Sequence, residues 1–184
     1  AMKNFFSKYW TYISIGILVL GAVWIWASAE EVDSQIETSP QQGFRAPDFT
    51  LETLGGETVS LADYEGKALM INFWASWCPP CRAEMPSMEA VYQKYRSQGF
   101  EVLAINATYQ DNRADITNFI ESEGFSYPIL LDQEGAASQG YQLRSLPTSY
   151  FIDKEGIIQE IVYGGPIPEA GLQTKIENLL EGSQ

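Results

Sequence analysis

The two cysteines of this 184-residue chain, Cys78 and Cys81, lie three positions apart in the segment Trp77-Cys78-Pro79-Pro80-Cys81. This spacing lets two thiols close a small, reversible disulfide, as in a redox-active dithiol. A structural zinc site needs about four nitrogen or sulfur ligands, but the chain has no histidine and no further cysteine. Covalent c-type haem needs a histidine directly after the second cysteine, where this chain has Arg82. The remaining alternative is a purely structural disulfide, although so short a loop constrains the unfolded chain little.

A buried strand and a helix are predicted to position the cysteine pair. Residues 68–74 form a nearly continuous apolar run, which is typical of a central strand buried on both faces. Pro79 or Pro80 can open the following helix, because proline is tolerated in a first helical turn. Apolar residues then recur at helical spacing over about four turns, and Pro86 is expected to kink the helix. The sequence therefore places the cysteines where a buried strand meets a helix N-terminus.

The rest of the pattern alternates strands with helices. A β-hairpin is predicted over residues 48–61 and an antiparallel hairpin over residues 150–163. Between and after them the sequence predicts strands at 101–107 and 127–131 and helices at 111–122, 135–141 and 168–180. Strands that alternate with helices and end in an antiparallel hairpin predict an α/β fold, with a mixed sheet and helices on both faces.

The N-terminal segment is predicted to cross a membrane. Residues 9–29 carry no charge and are about as long as a bilayer-spanning helix. Lys3 and Lys8 precede this stretch and acidic residues follow it, so the positive-inside rule places residues 1–8 in the cytoplasm and the remainder outside. The alternative is a cleaved signal peptide, because Ala27-Ser28-Ala29 has the form of a processing site. The expected location is thus a single-pass cell-membrane protein, or a secreted or periplasmic one after cleavage.

Residues 30–46 mix acidic and polar side chains with proline and glycine and show no helix or strand period. They are predicted to form a flexible linker, and the folded domain is expected over residues 47–184. The formal net charge of −13 argues against a nucleic-acid partner and against docking of the soluble part on anionic lipid. An acidic surface most simply keeps an exported domain soluble.

The segment from Asn72 to Glu84, NFWASWCPPCRAE, together with the later Leu146-Pro147-Thr148, resembles the thioredoxin superfamily. It is most similar to the TlpA/ResA-like, membrane-anchored thiol–disulfide oxidoreductases, and the resemblance covers roughly residues 44–181. It implies a thioredoxin-like mixed sheet with an N-terminal β-hairpin addition, preceded by the membrane helix. It also implies a redox-active Cys78–Cys81 disulfide, with no metal and no other cofactor.

The resemblance assigns roles to the residues around the disulfide. Cys78 would be the nucleophile, since backbone N–H groups and the macrodipole at a helix N-terminus favour a thiolate, and Cys81 would resolve the mixed disulfide. Glu84 matches a glutamate that tunes the cysteines in ResA-like proteins, whereas Asn72 stands where thioredoxin has a buried aspartate. We therefore expect Glu84 to carry protons to and from Cys81. The alternative is a solvated carboxylate on the helix face.

Five residues are expected to contact the substrate: Trp77, Pro79, Pro80, Leu146 and Pro147. Pro147 matches the cis-proline of the superfamily, and a cis bond there would expose the backbone of Leu146 to an extended substrate peptide. An ordinary trans proline at the start of a strand is the alternative. Trp77 would shield the cysteines or simply pack in the core.

The expected function is that of an extracytoplasmic, monomeric thiol–disulfide oxidoreductase that reduces protein disulfides. The resemblance suggests apocytochrome c or copper-site proteins as substrates and a membrane thiol carrier as the electron donor. An oxidant or isomerase of exported proteins, a copper-handling thioredoxin-like chaperone and a tethered module with a vestigial redox site are the alternatives. A thiol peroxidase on the same fold would need an additional cysteine. A measured reduction potential decides the direction of electron flow.

Overall fold

The computed structural model describes Trp10, residues 15–21 and residues 37–182. Residues 15–21 are helical, and within these ranges no helix is long and apolar enough to span a bilayer. Most of the predicted membrane segment, residues 9–29, lies outside the described residues. The chain divides into two units, Ala1–Ile36 and Glu37–Gln184, and the sheet and the cysteines belong to the second.

Residues 37–182 contain one seven-stranded mixed sheet. Its strand order is β2-β1-β5-β4-β3-β6-β7, with parallel pairing of β3 to β4 and of β4 to β5 and antiparallel pairing elsewhere. The strands are β1 (Thr50–Thr53), β2 (Thr58–Ser60), β3 (Ala68–Trp74), β4 (Phe100–Asn106), β5 (Ile129–Leu131), β6 (Thr148–Ile152) and β7 (Ile158–Tyr163). The strand that leads to the cysteines, β3, therefore lies between β4 and β6, away from either edge.

Four α-helices connect or follow these strands: α1 (Pro79–Tyr95), α2 (Arg113–Glu123), α3 (Ala136–Gly140) and α4 (Glu169–Glu181). Short 3-10 segments occupy Leu61–Tyr64, Arg96–Gln98 and Thr108–Gln110. These elements match the predicted ones to within a few residues, and the predicted α/β fold with a mixed sheet is confirmed.

The sheet has an apolar core on each face. Successive side chains of a strand point to opposite faces, so Met70 and Trp74 of β3 pack in one core with residues of α1, α2 and α4. Ile71 and Phe73 pack in the other core with residues of α3 and the β1–β2 hairpin. This arrangement explains the continuous apolar run, because every position of β3 is buried. It also fixes β3 as a rigid support for the turn that follows.

The prediction of a flexible linker over residues 30–46 needs correction at its C-terminal end. Arg45 bridges to Ile157, and Ala46 N–H donates to the carbonyl of Gly156 at 3.0 Å. Ala46 is only 4% exposed. Residues 43–46 are therefore held on the domain, because their backbone groups find partners at the start of β7, a contact that polar composition does not reveal. Residues 30–36 lie outside the described part of the chain.

Candidate active site

Cys78 and Cys81 form a disulfide at the start of α1. Cys78 is the N-cap residue, with extended backbone dihedrals, and Pro79 and Pro80 occupy the first two helical positions. Proline is suited to these positions because their N–H groups have no intrahelical partner. The first N–H group that the helix offers is therefore that of Cys81, and it points at Cys78 Sγ at 3.3 Å.

The two sulfurs differ in burial and in position. Cys78 is 3% exposed and Cys81 is fully buried, so Cys78 is the more accessible of the two. Its sulfur also lies at the positive end of the helix, where it accepts the Cys81 N–H group. Attack by Cys78 and resolution by Cys81 stays a prediction, with which this geometry is compatible.

Glu84 is buried beside the pair rather than solvated on the helix face. It follows Cys81 by three positions, which places the two side chains on neighbouring parts of one face of α1, and it is 1% exposed. Its Oε1 accepts from Asn72 Nδ2 at 2.7 Å and its Oε2 accepts from Ile167 N at 3.0 Å. Burial raises the pKa of Glu84, and the hydrogen bonds from Ile167 and Asn72 oppose this without cancelling it.

Asn72 connects Glu84 to the central sheet. Its Nδ2 atom donates both to Glu84 and, at 2.9 Å, to Ser149 Oγ. Its Oδ1 atom is buried and has no hydrogen-bond partner among the described residues. Turning the amide would present this oxygen to Glu84, so Asn72 can accept from a protonated carboxyl as well as donate to an ionised one.

Pro147 lies at the same end of the sheet. Thr148, the next residue, pairs with Phe73 near the end of β3. The Leu146–Pro147 peptide bond is cis, and the Pro147 carbonyl accepts from Gly164 N at 2.8 Å. Within residues 37–182, neither the N–H nor the C=O group of Leu146 has a hydrogen-bond partner. Leu146 therefore presents free backbone groups beside the cis-proline.

Gly165 brings the carboxylate and the proline loop together. A Cβ atom at this position would lie 2.8 Å from Glu84 Oε2 and 2.8 Å from Pro147 Cγ. Both distances are well below van der Waals contact, so the backbone at Gly165 passes close to both groups. Sequence reasoning could not indicate this close approach, since Glu84 and Pro147 lie far from Gly165 along the chain.

Trp77 is not a core residue, because 56% of its surface is exposed. Its indole Nε1 donates to the carbonyl of Gln110 at 3.0 Å, which fixes the ring beside the disulfide. Pro79 is also exposed, and Pro80 is half-buried. The residues in front of the cysteines thus form an apolar surface that solvent and other molecules can reach.

Sequence reasoning missed a second carboxylate near the site. Asp111 accepts hydrogen bonds from the backbone N–H and the hydroxyl of Ser76, both at 2.6 Å. Asp111-Asn112 could be recognised as a helix-start signal, since Asn112 caps α2. No sequence signal indicated the contact with Ser76, which lies 35 positions away.

No group of three or more histidine, cysteine, aspartate or glutamate side chains within the described ranges is arranged to hold a metal ion. The Cys78–Cys81 pair can itself take part in thiol–disulfide exchange.

Comparison with known proteins places this chemistry in a family. Residues 43–161 match the AhpC/TSA family. The chain belongs to the AhpC/TSA family. The thioredoxin-like protein YneN of Bacillus subtilis is 41% identical over 132 residues, which cover 71% of this chain and 76% of YneN. The thiol–disulfide oxidoreductase ResA of Geobacillus kaustophilus is 38% identical over 128 residues, which cover 70% of this chain and 72% of ResA.

The fold of this AhpC/TSA-family protein is likewise shared. A thiol:disulfide interchange protein of the thioredoxin family from Chlorobium tepidum superposes with a TM-score of 0.68 at 30% identity, covering 76% of this chain and 98% of that protein. The predicted thioredoxin-like fold and the resemblance to ResA are thus confirmed. The protein is a thiol–disulfide oxidoreductase, and Cys78 and Cys81 are its CxxC pair.

Proposed function

We propose that this protein reduces disulfide bonds of exported proteins, outside the cytoplasmic membrane. The observation that carries the proposal is the pair of prolines between the cysteines. They leave the Cys81 N–H group as the first donor that α1 can offer to Cys78. A helix N-terminus normally presents several free N–H groups, so a thiolate at Cys78 is stabilised less than at a helix start without prolines. A disulfide whose reduced form is poorly stabilised has a low potential and favours the role of reductant.

In the proposed reaction the Cys78 thiolate attacks one sulfur of a substrate disulfide. A mixed disulfide forms and the other substrate sulfur leaves as a thiolate. Cys81 then gives its proton to the Glu84 carboxylate and attacks Cys78, which closes the Cys78–Cys81 disulfide and releases the second substrate thiolate. The substrate gains two electrons and the protein loses two, so a thiol donor must reduce the disulfide again.

Glu84 suits the proton step because of its surroundings. Burial raises the pKa of Glu84, which brings it closer to the pKa of a thiol than an exposed carboxyl would be. Asn72 can hold both protonation states, since its amide offers a donor and an unpartnered oxygen. Glu84 can therefore be protonated or ionised and keep a hydrogen bond to Asn72 in either state.

The substrate is expected to bind as an extended peptide beside Leu146. The free N–H and C=O groups of Leu146 can form two backbone hydrogen bonds with such a peptide. Trp77 and Tyr163 add exposed aromatic surface, and Tyr163 pairs with Thr148 directly after the cis-proline. Apocytochrome c and copper-site proteins, whose cysteines must be reduced before they bind their cofactors, are the proposed substrates.

The proposed location follows from the N-terminal segment. Residues 9–29 would anchor the chain in the membrane, with residues 1–8 in the cytoplasm and the domain outside. A membrane thiol carrier would then return electrons to the Cys78–Cys81 disulfide. We expect the domain to work as a monomer, because attack by Cys78 and resolution by Cys81 need no second copy.

The test is the reduction potential of the full-length chain, measured in glutathione buffers. A value near that of thioredoxin, about −270 mV, supports a reductant, whereas a value near that of DsbA, about −120 mV, would assign the protein to disulfide formation. Pro79→Ala with Pro80→Ala restores two N–H groups and should raise the potential. An unchanged potential in this double variant would refute the role of the prolines.

A matched pair of variants tests the order of attack. Cys81→Ser should accumulate a mixed disulfide with a reducible protein substrate, because the resolving thiol is missing. Cys78→Ser should form none. Trapping through Cys81 in the second variant would reverse the assignment of nucleophile and resolving cysteine.

A further inference from the structure

The carboxylate of Asp111 connects two loops at one end of the sheet, the end next to the disulfide. One loop leads from β3 to Cys78, and the other leads from β4 to α2. Oδ2 of Asp111 accepts from Ser76 N–H, and Oδ1 accepts from the Ser76 hydroxyl, each at 2.6 Å. Ser76 is buried and stands two positions before Cys78. A single side chain thus binds both polar groups that Ser76 can donate.

Two further donors hold the Asp111 carboxylate in place. Asn106 Nδ2 donates to Oδ2 at 2.8 Å and Asn112 N–H donates to Oδ1 at 2.8 Å. Burial raises the pKa of Asp111, but the hydrogen bonds from Asn106, Ser76 and Asn112 together bring it below its ordinary value. The carboxylate is therefore charged at neutral pH, and all four hydrogen bonds are of the stronger, charge-assisted kind.

Neighbouring contacts extend this attachment along the loop. Ala107 N–H donates to the carbonyl of Trp74 at 3.0 Å, and the indole of Trp77 donates to the carbonyl of Gln110 at 3.0 Å. The segment before Cys78 is consequently tied to the loop before α2 at three successive points. Asp111 makes the middle contact, and of these three contacts it is the one that involves a charged side chain.

We propose that Asp111 is a positioning residue of the redox site, which keeps Cys78 within closing distance of Cys81 when the disulfide is open. In the oxidised protein the S–S bond itself holds Cys78, with the two Cα atoms 5.3 Å apart. In the reduced protein that bond is absent, and Cys78 is held by the first helical turn, where Arg82 N–H donates to its carbonyl at 3.1 Å, and by Ser76 and its neighbours. Without Asp111 the open dithiol would gain conformational freedom that closure must remove, so the disulfide would become easier to reduce. This inference rests on the proposed exchange at Cys78–Cys81.

The experiment compares three variants of the full-length chain at equilibrium with glutathione. Asp111→Asn should lower the equilibrium constant for closing the disulfide about threefold to tenfold, tenfold being about 30 mV. Ser76→Ala keeps the charge and the backbone bond and loses one hydroxyl bond, so it should lower the constant about twofold to threefold. Asp115→Asn is the matched control. It removes the same charge from an exposed position of α2 and should leave the equilibrium constant for disulfide closure unchanged.

The outcomes separate positioning from other roles. A merely structural role would lower the melting temperature of the oxidised and reduced forms equally and leave the glutathione equilibrium of Asp111→Asn like that of Asp115→Asn, which would overturn the proposal. If Asp111 acted only through its charge, the glutathione equilibrium of Ser76→Ala would match that of the parent. This result would also overturn the proposal. Should Asp111→Asn fail to fold, Ser76→Ala decides alone. Because glutathione replaces the protein substrate, a failure here is distinct from a failure to reduce exported proteins.

Discussion

Replacing Glu84 by glutamine tests whether the buried carboxyl titrates as its surroundings require. Burial raises the pKa of Glu84 against the opposing hydrogen bonds from Ile167 and Asn72. The native state then keeps the proton at pH values where the unfolded chain has lost it. Stability that Glu84 contributes is fully present below the unfolded pKa, about 4.3, and is lost as the pH rises through the folded pKa. Glutamine carries no such proton, so Glu84→Gln should gain stability relative to the parent as the pH rises.

The magnitude follows from proton linkage. Between the unfolded and the folded pKa, the difference in unfolding free energy between Glu84→Gln and the parent should grow by up to about 1.4 kcal/mol per pH unit. It should be flat below and above this window. Glutamine offers one acceptor to the two donors Asn72 and Ile167, and an unsatisfied donor costs about 1–3 kcal/mol. That offset is independent of pH, and turning the Asn72 amide reduces it.

The assay is urea unfolding of the oxidised full-length chain across pH 4–9. The titrations of all other groups cancel in the difference between the unfolding free energies of variant and parent. Glu89→Gln is the control of opposite sign. Burial opposes ionisation of Glu89, but hydrogen bonds from Ser126 and Gln93 hold its pKa below the ordinary value. The parent should therefore be the more stable of that pair at neutral pH and lose the advantage as the pH falls. Parallel curves for Glu84→Gln and the parent would refute the reasoning.

Three further substitutions address the same site. Asn72→Asp sets a second carboxyl against Glu84, and like charges so close cannot both ionise, so the pH profile of disulfide exchange should move to higher pH; an unchanged profile would contradict this. Gly165→Ala should cost about 1–3 kcal/mol of unfolding free energy through overpacking. Gly140→Ala, whose Cβ would make only an ordinary contact with Pro47 Cβ at 3.9 Å, should be neutral or stabilising in the same urea experiment. Trp77→Phe loses the indole hydrogen bond and should weaken exchange with a protein substrate more than with glutathione; equal losses would remove Trp77 from substrate binding.

The elements of this fold could be predicted from the sequence because their signals are local. The apolar run over residues 68–74 coincides with β3, and the two prolines after Cys78 mark the first turn of α1. The order of the strands had no such signal, because the partners of β3 lie 32 positions further along in β4 and 75 to 83 positions further along in β6. Residues 43–46 were misjudged for the same reason, since nothing in their local sequence indicates the partners that they find beside β7.

The site was predictable where chemistry is fixed by spacing along the chain and not where it depends on tertiary contacts. Cys78, Cys81 and Glu84 follow one another on one helix, so they could be named together. The burial of Glu84 depends on Asn72 from the sheet and on Ile167, 83 residues away. Asp111 was missed altogether, because a single aspartate before a helix is most often a capping residue.

The features around Cys78 act on its thiolate in opposite directions. The helix N-terminus favours the charge by roughly 0.3–1 kcal/mol, yet each hydrogen bond to a charged group that the prolines remove is worth about 1.5–3 kcal/mol. An N-cap side chain accepts from the N2 or N3 N–H group, so the donor lost at Pro80 outweighs the gain from the dipole. A carboxylate at Glu84 or Asp111 adds like charge nearby, and neither can stabilise a thiolate. We accordingly expect an uncommonly stable disulfide, and hence a protein that gives electrons to its substrates rather than taking them.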